Sequence, residues 1–219
     1  MLAGRRREPL DQAAAAIAGR TGAGVTAVVA DLATDCPREA ATVDVLVLNA
    51  GGPPPGRILA VDDDGWQHAF DLLLRGPLRL ARTALPAMAG RGFGRVVFVT
   101  STAVRQPQPD LATSVVLRAA VTSAAKLLAR EYADRGVTVN CVAPGPTATD
   151  RRHAILAARA ERTGATYAEL DAADVATVPA GRAGRPEEVG AAIAFLASAA
   201  ASYVNGTVLT VDGGRTETP

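Results

Sequence analysis

The chain has 219 residues, of which 48% are hydrophobic and 21% are charged, and its formal net charge is +1. This length and composition are sufficient for one sizeable core, so we expect a single domain over residues 1–219. Arginines cluster at positions 5–7 and 151–152, but no long basic stripe with interleaved aromatic residues indicates a nucleic-acid surface. Cys36 and Cys141 show no paired or metal-like spacing, which favours a reducing cytoplasm and no structural metal. No apolar signal core or bilayer-length apolar stretch is evident, so no membrane partner is expected.

β-Branched apolar runs alternate with Ala-rich helical segments, a pattern typical of repeated βα units and a parallel sheet with helices on both faces. Acidic residues follow Pro9 and Pro186, as is typical of helix starts, and Pro77 is predicted to be the only residue that interrupts a helix. In chain order, we predict a helix over 9–20, strands over 25–30 and 43–48, a helix over 64–88, a strand over 95–100, a helix over 113–135, a strand over 137–142, a helix over 186–197 and a strand over 207–211.

The loops after three of these strands contain the motifs that carry chemistry. Parallel sheets of this kind bind ligands at the carboxyl ends of their strands, where these loops meet. One further pair lies on the helix that follows, because Ser114 comes 13 residues after Ser101 and Arg118 comes 4 residues after Ser114. The three loop motifs are Asn49-Ala50-Gly51-Gly52, Ser101-Thr102 and Pro144-Gly145-Pro146-Thr147-Ala148-Thr149.

Together these motifs resemble those of the short-chain dehydrogenase/reductase family, and the resemblance runs from about residue 2 to residue 214. Within the family, the sequence resembles a 3-oxoacyl-carrier-protein reductase or a similar alcohol/ketone oxidoreductase. The resemblance implies an α/β, Rossmann-like, doubly wound parallel sheet that binds NAD(P), and a protein that forms homodimers or homotetramers. Its markers, none specific alone, are Asp31-Leu32, Asn49-Ala50-Gly51, Ser101, Pro144-Gly145, Gly181-Arg182 and Val211-Asp212-Gly213-Gly214.

The resemblance also assigns cofactor-binding residues, each with an alternative explanation. Asn49, Ala50 and Gly51 would form the turn that approaches the cofactor, although a tight turn after a strand would look the same. Asp31 would lie near the adenine and Leu32 would offer a backbone contact, although Asp31 is equally suited to cap a helix.

Arg5 would pair with a 2′-phosphate, which favours NADP over NAD, although Arg5, Arg6 and Arg7 also fit a solvated helix start. The remaining residues assigned to the cofactor are Arg118, Pro144, Gly145, Thr147 and Thr149.

The first departure from the family is at the amino end, where a first strand and a Gly-rich turn would precede Met1. That turn carries the cofactor's pyrophosphate on a helix N-terminus. The first strand is central in Rossmann order, so its absence would leave two strand edges unpaired, and we expect the chain to fold poorly alone. A start codon placed too far downstream explains this better than a truncated protein.

The second departure is in the catalytic tetrad, of which only Ser101 remains. Ser114 replaces the tyrosine, Arg118 the lysine and Leu73 the asparagine. A serine hydroxyl lacks the phenol's pKa of about 10, so Ser114 is a poor acid or base, whereas Arg118 still supplies charge and donors for the ribose. Two residues of the substrate lid, His153 and Tyr167, are alternative proton donors or simply exposed lid residues.

The leading hypothesis is an NADP-linked oxidoreductase that acts on a carbonyl or secondary alcohol, with an acyl-carrier-bound substrate as one option. Its rival is a non-catalytic Rossmann-like protein that senses a nucleotide or serves as a partner subunit. The lid, about residues 150–180, would set specificity, and Arg105, Arg151 and Arg152 fit either an anionic substrate or plain solvation. Small residues along 119–129 would let two helices approach in a homo-oligomer.

Overall fold

The structure is a computed structural model that describes residues 1–218. Short parallel strands alternate with helices along the chain, as the sequence predicts. The strands are β1 Leu2–Gly4, β2 Ala27–Val29, β3 Val45–Leu48, β4 Gly94–Val99, β5 Val137–Pro144 and β6 Val208–Val211. The α-helices are α1 Arg7–Thr21, α2 Asp63–Phe70, α3 Gly76–Arg91, α4 Ala112–Glu131, α5 Asp150–Thr163, α6 Tyr167–Ala176 and α7 Pro186–Ala197.

The strands form two parallel sheets rather than one. β1 pairs with β2, and β3, β4, β5 and β6 follow one another in a four-stranded sheet. Within residues 1–218, no ladder joins β1 to β3, so each keeps an open edge. The break lies where the sequence predicts that the central strand is missing, and the Rossmann-like α/β fold is confirmed.

Apolar side chains are exposed beside this break. Val29, Val45 and Val47 are 44%, 39% and 41% exposed, whereas Leu46 and Leu48, on the other face of β3, are buried. β3 thus has one covered and one uncovered face, although its pattern of consecutive apolar residues is typical of a strand buried on both sides.

Strand β4 divides the core into two layers because successive side chains point to opposite faces. Val96 and Phe98 pack in the cluster that contains α3 and α4 residues, and Val97 packs with Val142 and Leu196 of α7. Helices therefore cover both faces of the sheet at β4 and β5.

Helix α4 is the one helix of residues 1–218 that is long and apolar enough to cross a membrane by length and composition, with a hydropathy of 1.3. Its buried residues Val121, Ala125 and Ala129 pack against Val139 of β5 in the core. This packing is that of a core helix in a globular fold.

The predicted helix over 64–88 is interrupted, but not as expected. A π-helical turn, Asp71–Arg75, separates α2 from α3, and Pro77 lies in the first turn of α3, where its missing N–H is tolerated. A side chain at Gly76 would collide with the carbonyl oxygen of Leu32, so glycine allows this close approach. The prediction that Pro77 interrupts a helix is wrong, because Pro77 lies in the first turn of α3, which continues through Pro86 to Arg91.

The lid contains two helices, α5 and α6, that the sequence analysis did not predict. The Thr149 hydroxyl accepts a hydrogen bond from the Arg152 N–H at the start of α5, and Thr166 begins α6 with a capping box to Glu169. The Thr-x-x-Glu spacing of that capping box is visible in the sequence and was the missed signal.

Candidate active site

The loops after β3, β4 and β5 are tied together by hydrogen bonds at the carboxyl edge of the sheet. Arg118 reaches this edge from α4, where its Nη1 donates to the Val99 carbonyl at 2.6 Å. Its Nη2 donates to the carbonyl oxygens of Ala50 and Gly51, at 3.3 Å each. The guanidinium therefore joins the turn after β3 to the end of β4.

Ser114 and Arg118 are in direct contact, as their spacing of one helical turn implies. The Arg118 Nε donates to the Ser114 Oγ at 3.2 Å. The Ser114 oxygen thus serves as an acceptor, and its own hydroxyl hydrogen remains available to a ligand. Burial lowers the pKa of Arg118 to about 10, with a smaller contribution from the positive charge of Arg151. Below that pH the pair supplies charge and donors, but no group that titrates near neutrality.

Ser101 follows β4 and begins a short 3₁₀ turn. Its Oγ accepts a hydrogen bond from the Ala103 N–H at 3.1 Å, which leaves the hydroxyl hydrogen free to donate. The neighbouring Thr102 Oγ1 donates to the Pro144 carbonyl at 3.3 Å and so connects this loop to the end of β5. The Ser101 hydroxyl can therefore donate a hydrogen bond at this edge, and its role toward a substrate carbonyl stays a prediction.

The loop after β5 is held by its own hydrogen bonds. The Gly145 N–H donates to the Val211 carbonyl at 3.0 Å, and the Thr147 Oγ1 donates to the Gly145 carbonyl at 3.1 Å. Thr149 caps α5 and also donates to the Thr147 carbonyl. The hydroxyl groups of both threonines thus have local structural partners, and their predicted contact with a cofactor stays a prediction.

The predicted adenine-side residues lie at the ends of β1 and β2, apart from the hydrogen-bonded serine and arginine cluster. The Asp31 carboxylate accepts from the Ala33 N–H at 3.0 Å, which is an Asx turn and not a helix cap. The Leu32 carbonyl accepts from Arg79. Arg5 is exposed between β1 and α1, as a residue that meets a 2′-phosphate would need to be.

The turn after β3 leaves room for a ligand. Asn49 is exposed, and a Cβ added at Gly51 would meet nothing within 4 Å. The predicted contacts of Asn49 and Gly51 with a cofactor stay a prediction. A Gly-rich turn for the pyrophosphate is absent from residues 1–218.

Leu73 lies in the π-helical turn and is 2% exposed. It packs in a cluster with Ala50, Leu72 and Leu117. An apolar side chain buried in this way has no donor or acceptor for a water, and the absence of the family's relay stays a prediction.

The two alternative proton donors belong to the lid. His153 of α5 and Tyr167 of α6 contact each other, with ring centroids 4.8 Å apart and planes tilted by 40°. Both are exposed. Their contact accounts for both residues as part of the α5–α6 packing, and a catalytic role for either stays a prediction.

Arg151 is a residue of the site that the sequence did not distinguish from Arg105 and Arg152. The Arg151 Nη2 donates to the Pro53 carbonyl at 2.5 Å, and the guanidinium lies across Gly52, where a Cβ would come within 2.6 Å of its Nε. Arg152, by contrast, is paired with Asp171 and Asp174, and Arg105 is exposed. Sequence alone could not separate these arginines, because their partners lie on other elements.

The fold and the carboxyl-edge site define a class of protein. The chain belongs to the short-chain dehydrogenase/reductase family, since residues 6–216 match the family model described as Enoyl-(Acyl carrier protein) reductase. The family assignment made from the motifs is confirmed. No cluster of three or more potential metal ligands is present in residues 1–218.

Among its relatives is the 3-oxoacyl-acyl-carrier-protein reductase FabG of Salmonella typhimurium, 36% identical over 172 residues, which are 78% of this chain. The chain spans about two thirds, 66%, of the length of that relative. Galactitol 2-dehydrogenase (L-tagatose-forming) of Cereibacter sphaeroides is 38% identical and is matched over 99% of this chain and 84% of its own. The structure of L-sorbose reductase from Gluconobacter frateurii, complexed with NADPH and L-sorbose, aligns with a TM-score of 0.89 at 28% identity, covering 100% of this chain and 87% of that one.

Proposed function

We propose that this protein is an NADP(H)-linked oxidoreductase that reduces a carbonyl or oxidises a secondary alcohol, in the manner of a 3-oxoacyl-acyl-carrier-protein reductase. The observation that carries the proposal is the Ser101 hydroxyl, whose proton is free to donate at the carboxyl edge while its oxygen is held by the Ala103 N–H. We infer that residues 1–219 act as one domain in the cytoplasm, with the lid at about 150–180.

Each residue of the site has a limited task in this proposal. Ser101 donates a hydrogen bond to the carbonyl oxygen and orients it. Arg118 supplies positive charge beside Ser114 and holds the loops in place. Ser114 passes a proton to or from water and does not act as a strong acid itself. The nicotinamide, when bound, supplies the hydride chemistry.

NADP is favoured over NAD by the residues near the end of β1. No carboxylate follows Gly4, and the exposed Arg5 offers a guanidinium for a 2′-phosphate. The L-sorbose reductase that shares this fold is complexed with NADPH. Asn49, Ala50, Gly51 and the loop from Pro144 to Thr149 would hold the nicotinamide side.

The substrate is a small carbonyl or alcohol, either free or carried by an acyl carrier protein, and a homodimer or homotetramer is the expected assembly. Exposed apolar residues on α4, Val116 at 43% and Leu127 at 61%, support an assembly through this helix. We expect neither a nucleic acid nor a membrane as partner.

Oxidation of NADPH at 340 nm with a panel of ketones, including methyl acetoacetate and acetoacetyl-carrier thioesters, tests the proposal. We expect turnover to fall by about two orders of magnitude in Ser101→Ala. The affinity for NADPH, measured by fluorescence, should be unchanged. Ser202→Ala, which removes an exposed hydroxyl outside the site, is the matched control.

A non-catalytic role as a nucleotide sensor or partner subunit is the second candidate. It is favoured by Leu73, which leaves no place for a relay water, and by Ser114, which has no pKa near neutrality. NADPH binding without turnover of any ketone in the panel would select this candidate.

A further inference from the structure

Two arginines meet at the turn after β3 from different elements. Arg118 donates from α4 to the Ala50 and Gly51 carbonyls, and Arg151 donates from the first turn of α5 to the Pro53 carbonyl. Four consecutive residues thus lie between two guanidinium groups. Ser114, bonded to Arg118, lies on the same side of the sheet edge.

Neither arginine of this pair has a carboxylate partner among residues 1–218. The hydrogen bonds that each donates go to neutral oxygens only. Burial lowers the pKa of both guanidinium groups, and the charge of Arg151 lowers the pKa of Arg118 further. Other lid arginines differ, because Arg152 pairs with Asp174 and Arg162 pairs with Asp110.

A pair of partly buried like charges is destabilising unless something offsets it. Arg151 is half-buried and donates one hydrogen bond, so most of its five N–H groups are without a protein acceptor. A planar guanidinium with free donors matches a carboxylate or phosphate, which accepts two parallel hydrogen bonds.

We propose that Arg151, acting with Arg118, binds an anionic group of the substrate, a carboxylate or a phosphate, at the junction of the lid and the turn after β3. This inference rests on the proposed function and names the class of substrate for that site. We assign the anion to the substrate because Arg151 lies in the first turn of the lid helix α5. The residue predicted to contact the phosphate of the cofactor, Arg5, lies next to β1.

Two ketones of similar shape, one anionic and one neutral, distinguish the effect of charge on binding from the effect of shape. Acetoacetate carries a carboxylate, and methyl acetoacetate presents the same ketone without charge. Thermal-shift titrations of the protein saturated with NADP⁺ give a dissociation constant for each, since a ligand that binds the folded state raises its melting temperature. The wild-type protein is expected to bind acetoacetate about tenfold or more tightly than the ester.

Arg151→Gln is expected to remove this preference and to leave ester binding unchanged. Arg151→Lys keeps the charge and is expected to retain part of the preference. Arg82→Gln removes an exposed arginine of α3 and controls for net charge. If Arg151→Gln fails to fold, Gly52→Ala displaces the guanidinium by steric contact and is expected to have the same effect.

Equal binding of acid and ester by the wild-type protein, or an unchanged preference in Arg151→Gln, would overturn the proposal. So would a loss confined to NADPH affinity, because the anion would then be a phosphate of the cofactor. Reduction of the ester is measured separately by NADPH oxidation. A protein that binds acetoacetate through Arg151 but reduces no ketone would refute the proposed function, while the anion site would still be supported.

Discussion

Restoring the missing asparagine of the family at Leu73 is expected to harm the protein rather than to repair it. Leu73 is 2% exposed and packs with Ala50, Leu72 and Leu117. Leu73→Asn loses about 1.5–3 kcal/mol of apolar burial. It also buries an amide beside apolar neighbours, which costs about 1–3 kcal/mol when the amide has no partner. The expected loss is therefore about 2.5–6 kcal/mol of unfolding free energy.

Urea denaturation followed by circular dichroism measures this loss, with Leu73→Met as the control that nearly keeps the volume. Since 1 kcal/mol corresponds to about 2–4 °C for a chain of this size, the melting temperature should fall by at least about 5 °C in Leu73→Asn. A variant as stable as the wild-type protein, with faster ketone reduction, would show that water reaches this position and that the reasoning from packing is wrong.

Three further changes probe other parts of the molecule. Ser114→Tyr is expected to raise ketone reduction about a hundredfold, because a phenol beside a guanidinium is a competent acid; an unchanged rate of NADPH oxidation would show that proton supply is not limiting. Burial raises the pKa of the Cys141 thiol to about 12, above its unfolded value of 9.0. The unfolding free energy of the protein therefore falls as the pH rises above about 9, because the unfolded state then releases this proton more readily. At pH 10 that loss is about 1.4 kcal/mol by urea denaturation, and Cys141→Val should lack it, whereas an equal loss in the variant would contradict the assignment. Asp174→Asn removes one of the two carboxylate partners of Arg152, whose side chain is 13% exposed, and should speed proteolysis of residues 150–180 severalfold over the wild-type rate.

The strands and several helices were predictable because their side chains follow simple rules. Helix α7 begins and ends where predicted, since Pro186 and the acidic residues after it mark its start. Strand β5 continues two residues beyond its predicted end, to Pro144, because its last residues pair with β6. Such pairing depends on residues about 67 positions away in the chain and leaves no local signal.

The π-helical turn and the lid helices were harder to predict. The turn depends on the contact between Gly76 and the Leu32 carbonyl, which is a tertiary contact. In the lid, α6 has a capping box at Thr166, but its weak apolar periodicity hides the helix that follows. The start of a helix was thus encoded locally, while its packing was not.

In the candidate site, the spacing of residues along the sequence predicted a contact within one helix but not the contacts between different elements. One helical turn separates Ser114 from Arg118, and the two are hydrogen-bonded. The carbonyl partners of Arg118 and the position of Arg151 across Gly52 involve the end of β4, the turn after β3 and helix α5, and they were not predictable.

The altered tetrad positions are physically connected and are best understood as one change. Leu73 packs against Ala50 and Leu117, and the Ala50 carbonyl accepts from the guanidinium of Arg118, the residue after Leu117. An apolar cluster and a charged contact to the backbone thus lie side by side at these positions. Residues in contact contribute non-additively, so substitutions here are expected to depend on one another. In the proposed function, Ser101 orients the carbonyl, Arg151 holds the anion, and the proton comes from water or from another side chain.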